Sequence, residues 1–182
     1  TEEECVRRQA RETDDMISML LNTLEEKQLL DNTVIVTFTD HYLYTISDQS
    51  ILDKYKTTEN NLINKTPFFI YDNGNHKKTI TEVTSQLNIL PTVLNLFGLE
   101  YHPNYYIGED ALASSYKGYV FFSDYSWYDG NVYVDGGVIT NGKEIDPNIL
   151  EEKNNFINQI IKKNDLTLKY DYFKKISNHY SL

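Results

Sequence analysis

Asp40 and His41 are the residues whose types and spacing best suit chemistry in this chain. A hard carboxylate beside an imidazole can ligate a divalent cation such as Mn²⁺ or Zn²⁺. The pair follows directly on Thr33-Val34-Ile35-Val36-Thr37-Phe38-Thr39, a short β-branched run that reads as a strand. Open α/β sheets place their ligand sites just beyond such strand ends. Taken alone, the dipeptide fits a surface turn with a capping aspartate and an idle histidine better than a metal centre. Two ligands are also too few, so the remaining ones must come from elsewhere.

Other candidates are weaker. His76 lies in the polar loop Asn75-His76-Lys77-Lys78, His102 has only Glu100 nearby, and His179 has no ligand-type residue at motif spacing. Ser126-Trp127-Tyr128 reads as a turn whose lone Trp is better explained by packing than by a ligand. No nucleophile elbow, P-loop, dinucleotide fingerprint or H-E-x-x-H is present. Asn64-Lys65-Thr66 matches a glycosylation sequon, a pattern too common to count. The single cysteine, Cys5, allows no intrachain disulfide and fits a reducing compartment or a bacterial surface protein alike.

The elements that must position the pair follow from periodicity. Met16, Ile17, Leu20, Leu21 and Leu24 put one apolar stripe on a helix running from Glu2 to Leu30, and that stripe reads as core. Asp31-Asn32 ends it with turn chemistry. The nearly continuous apolarity of residues 33–39 predicts a strand buried on both faces, as in a parallel sheet. Residues 42–65 read as a long loop with one short helix. Pro67-Phe68-Phe69-Ile70-Tyr71 reads as a second buried strand, closed by a turn at Asp72-Asn73-Gly74-Asn75. Ile89 to Phe97 predicts a helix with Pro91 in its first turn and Gly98 past its end. Residues 119–122, 131–134 and 138–140 read as strands, the last two joined by a hairpin at Asp135-Gly136-Gly137. A helix from Pro147 to Lys163 follows. This order predicts an α/β sandwich of parallel-type αβ units and a late antiparallel meander, with no convincing linker.

The chain has 182 residues, which suits one domain or a piece of a larger one. A net charge of −10 opposes phosphate backbones and speaks against general nucleic-acid binding. It does not oppose a phosphorylated substrate, because a bound divalent cation reverses the local field. No apolar run approaches the roughly 20 residues that span a bilayer. The chain opens with Thr1, already inside a helical pattern, so we expect a piece or processed product of a longer protein.

Several segments, taken in order, resemble the alkaline phosphatase/sulfatase superfamily: Thr13-Asp14-Asp15, Leu30-Asp31-Asn32-Thr33-Val34-Ile35-Val36, Thr39-Asp40-His41-Tyr42, Thr66-Pro67-Phe68-Phe69-Ile70-Tyr71, and the helix Gln86 to Gly98. Within it, Asp40-His41-Tyr42 and Asp171-Tyr172-Phe173 look like the lipoteichoic acid synthase branch. The resemblance implies a partial alkaline-phosphatase-like α/β sandwich, the C-terminal portion of a catalytic domain. Residues 1–100 would carry the αβ units and metal pair, and residues 101–182 the meander and terminal helix.

It further implies a bacterial enzyme on the extracellular face of the cell membrane, anchored by N-terminal helices that this chain lacks. Such an enzyme transfers glycerol phosphate from phosphatidylglycerol to a glycerol-phosphate polymer through a metal-activated threonine. Carried over, Asp40 and His41 become ligands of a divalent metal, Mn²⁺ by preference, with Zn²⁺ or Mg²⁺ as alternatives. The nucleophile, the acidic ligand and the substrate-binding residues would lie upstream, so the chain by itself is expected to be inactive. An uncovered sheet edge would invite self-association. Leu43 stands where the family often has Gly, Thr39 where Gly or Ser is common, and Asn88 where Asp is frequent, a change that reads as one of capping. The alternatives are a sulfatase, a phosphoethanolamine transferase or a non-catalytic surface domain.

Overall fold

Thr1 starts the first helix. Its hydroxyl accepts the Glu4 amide at 3.3 Å, its ammonium reaches the Glu4 carboxylate at 2.9 Å, and Glu2, Glu3 and Glu4 suit the positive end of the helix dipole. The computed structural model describes residues 1–74 and 77–179, and the chain forms two compact units, Thr1–Thr79 and Ile80–Leu182. His76 and the side chain of His179 lie outside the described residues.

In the first unit, α1 (Glu2–Glu26) leads through a 3₁₀ turn at Leu30–Asn32 into β1 (Ile35–Phe38). After α2 (Gln49–Tyr55), β2 (Phe68–Tyr71) returns beside β1. The two strands are antiparallel, with Ile35 opposite Tyr71 and Phe38 opposite Phe68. This corrects the expected parallel arrangement and the expected burial on both faces. Ile35, Val36 and Thr37 are half-buried and Phe38 is 51% exposed, while β2 alternates between half-buried and exposed residues. A two-stranded ribbon covers only part of each strand, whatever its apolarity. The α1 stripe is likewise not core: Ile17, Leu21 and Leu24 are half-buried, and Met16 and Leu20 are exposed.

The core of this unit lies elsewhere. Ile46, Ile51 and Leu52 are buried together, with Val6, Tyr42 and Ile63 packed against them. Asp48 caps α2 by accepting the Ser50 amide at 3.1 Å. The Glu2 carboxylate accepts the amides of Ser47 and Asp48 at 2.9 and 2.8 Å, which ties α1 to the start of α2.

In the second unit, a turn at Gln86–Asn88 leads into α3 (Ile89–Leu96), which ends where Gly98 takes φ +64°. The Leu99 amide reaches back to the Leu94 carbonyl at 2.9 Å, and only a left-handed residue at Gly98 permits that closure. Four strands then form one antiparallel meander: β3 (Val120–Phe121), β4 (Trp127–Tyr128), β5 (Val132–Asp135) and β6 (Val138–Gly142). Gly136 and Gly137, both at positive φ, make the two-residue turn between β5 and β6.

Ser126-Trp127-Tyr128 is read from sequence as a turn, but Trp127 and Tyr128 form β4, and Trp127 is a core residue. It packs with Val132, Val134 and Ile157, and its indole N–H donates to Asn154 Oδ1 at 2.8 Å. Ile157 belongs to α4 (Pro147–Lys169), which runs six residues beyond its expected end, and α5 (Tyr172–His179) follows. Helix, meander and terminal helices together match the expected C-terminal architecture.

Candidate metal centre

β1 ends at Phe38, and Asp40 and His41 occupy the bend that follows Thr39. The His41 amide donates to Asp40 Oδ1 at 3.0 Å, which holds the carboxylate against the backbone. Asp40 Oδ2 lies 3.5 Å from His41 Nε2. The side chains are 81% and 50% exposed, so the pair opens to solvent.

His41 Nδ1 lies 2.7 Å from the Tyr42 carbonyl oxygen. A carbonyl can only accept, so the proton of the neutral ring sits on Nδ1 and the lone pair on Nε2. In this tautomer the Nε2 lone pair faces Asp40 Oδ2, whereas a protonated ring would make an ion pair with the same oxygen. Ligands about 2.1 Å from a shared ion stand roughly 3 to 3.5 Å apart, so the donor set fits a divalent metal. The group that fixes the His41 tautomer is a backbone carbonyl. Tyr42 O also accepts the Tyr44 amide at 2.8 Å.

Tyr42 and Tyr44 were not legible as parts of the site. The Tyr44 ring sits 4.5 Å from the imidazole at 53°, and 6.3 Å from the Tyr42 ring, edge to face. Tyr42 in turn packs on the Ile46, Ile51 and Leu52 core. Asp40 and His41 are therefore braced by the short helix after them as well as by the strand before them. Leu43 does not take positive φ, so the chain makes this bend without needing a glycine there.

The other candidates do not join the pair. His102 is exposed, 5.2 Å from the Tyr105 ring, in the second unit. Among the described residues no group of three or more His, Cys, Asp or Glu side chains could hold a metal ion. Asn88 is more than a cap. It is buried, accepts the Ser85 amide at 2.9 Å, and donates through Nδ2 to the Glu109 carbonyl at 2.9 Å, a bond that an aspartate cannot make.

The family model described as Sulfatase matches residues 4–99, more than half of the chain, with Asp40 and His41 inside the match. Lipoteichoic acid synthases of Staphylococcus aureus, from strains USA300, COL and N315 among others, are 27% identical over 139 residues. The match covers 68% of this chain and 21% of theirs, so the chain spans about a fifth of the length of these relatives.

Proposed function

The chain belongs to the sulfatase family, and from that premise we propose that it is part of a phosphoglycerol transferase of the lipoteichoic acid synthase type. In this reading the longer enzyme takes glycerol phosphate from phosphatidylglycerol. A threonine oxygen outside this stretch forms a bond to phosphorus, and the bond from phosphorus to the diacylglycerol oxygen breaks. A hydroxyl of the growing polymer then displaces the threonine.

Asp40 supplies a carboxylate oxygen and His41 supplies Nε2 to a divalent cation, taken to be Mn²⁺. The Tyr42 carbonyl keeps the His41 proton on Nδ1. When bound, the metal lowers the pKa of the threonine hydroxyl and neutralises the phosphoryl oxygens. The observation that carries this reading is the convergence of Asp40 Oδ2 and His41 Nε2 at 3.5 Å at a strand end.

By the same reading the enzyme is anchored in the bacterial membrane with this region outside the cell. No helix among the described residues is long and apolar enough to cross a membrane, so an anchor would come from another part of the protein. The test uses the longer enzyme and a fluorescent phosphatidylglycerol. Asp40→Ala is expected to abolish release of labelled diacylglycerol, and the 182-residue chain alone to release none. Full activity in Asp40→Ala, or turnover by the chain alone, refutes the assignment. If the longer enzyme cleaves a sulfate ester instead, the family's sulfatase chemistry replaces the transferase.

A further inference from the structure

We infer that the C-terminal helical segment, residues 162–175, docks on an anionic lipid surface. The chain as a whole carries a net charge of −10. From Ile80 to Ile161, eleven carboxylates face three lysines, a net of −8. From Lys162 to Lys175 the balance inverts: five lysines stand against Asp165 and Asp171, a net of +3. So sharp a reversal within one unit creates a local positive field on an acidic protein.

The same stretch exposes apolar groups. Leu150, Ile157 and Ile161 form the stripe of α4 that packs on the meander. Leu168 is two helical turns past Ile161 on that stripe, beyond the packed core, and is 74% exposed. Tyr170 is 52% exposed, and Leu166, Tyr172 and Phe173 are exposed beside it. Between α4 and α5 the backbone takes φ +48° at Asp171. The Lys169 and Lys175 ammoniums then stand 5.6 and 5.3 Å from the centre of the Tyr170 ring.

An exposed leucine and tyrosine ringed by lysines is the composition of a membrane-interface segment. The apolar groups enter the headgroup boundary while the ammoniums stay at the anionic surface. A soluble polyanion would pair the lysines but leave Leu168 in water, and an apolar protein face would cover Leu168 but strand the lysines. A bilayer containing anionic lipid satisfies both. The test reads binding rather than turnover, so its outcome is separate from that of the proposed transfer reaction.

The chain is co-sedimented with vesicles of phosphatidylglycerol mixed with phosphatidylcholine, and with phosphatidylcholine vesicles alone. Binding to the mixed vesicles is expected, weaker by about tenfold on neutral ones and reduced at about 0.5 M salt. The triple variant K169E/K174E/K175E and the double variant L168S/Y170S should each lower binding by about tenfold or more with unchanged circular dichroism. Failure to sediment with the mixed vesicles overturns the inference. So do equal binding to neutral vesicles, unchanged binding in both variants, and displacement by soluble poly(glycerol phosphate).

Discussion

His41 Nδ1 stands 2.7 Å from the carbonyl oxygen of Tyr42, and this one contact decides which face of the imidazole can meet a metal. The neighbouring residue in sequence fixes the orientation and tautomer of a half-exposed imidazole. In alkaline buffer, long-range ¹H–¹⁵N correlation should therefore place the His41 proton on Nδ1. A majority of the Nε2–H tautomer would contradict the arrangement.

Asn88→Asp removes the donor to the Glu109 carbonyl inside a buried site. The swap keeps the cap, because Oδ1 can still accept the Ser85 amide. We expect a loss of about 1–3 kcal/mol of stability, the cost of an unsatisfied buried acceptor, measured by urea unfolding. An unchanged midpoint would mean that Asn88 serves only as a cap.

How much of this was legible in the sequence varies with the kind of interaction. Asp40 and His41 stood out because a carboxylate and an imidazole side by side after a strand are visible in the sequence itself. Tyr42 did not, since its contribution is a backbone carbonyl that any residue possesses. The runs at residues 33–39 and 67–71 announced strands correctly. Their apolarity says how much a strand can bury, not which direction its partner runs, so the antiparallel pairing was missed. β4 was hidden because it is only two residues long and follows a turn held by Asp124, which accepts the Ser126 amide at 3.0 Å. The hairpin at Gly136-Gly137 was plain, because two consecutive residues at positive φ demand glycine.

Glu3 provides a pH-dependent tie between α1 and α2. The Tyr55 hydroxyl at 2.5 Å, the Lys54 ammonium at 2.9 Å and the Arg7 guanidinium at 3.0 Å hold its carboxyl down to about 2. The folded-state value is depressed below the ordinary 4.5, so its stabilisation is complete above about 4.5. It fades as pH falls through about 2. An NMR titration of the Glu3 side chain should give a midpoint near 2. Glu3→Gln should lower the melting temperature at neutral pH and flatten its fall between pH 5 and pH 2, roughly. A Glu3 midpoint near 4.5 would remove the tie.

Trp127 is 2% exposed, and it is the only tryptophan in the chain. Its fluorescence should be blue-shifted and should report unfolding of the second unit alone. Trp127→Ala is expected to destabilise that unit by about 3–5 kcal/mol in denaturant titrations. Emission at the wavelength of free indole in the native protein would mean that β4 is not packed as described.

The central claim, that Asp40 and His41 share one divalent cation, is tested most directly by paramagnetic Mn²⁺. Substoichiometric Mn²⁺ is added to the ¹⁵N-labelled chain and amide broadening is followed residue by residue. The account predicts that Thr39 to Tyr44 broaden first, and that Asp40→Ala and His41→Ala each abolish this preference. Broadening centred elsewhere, or unchanged in either variant, would contradict it.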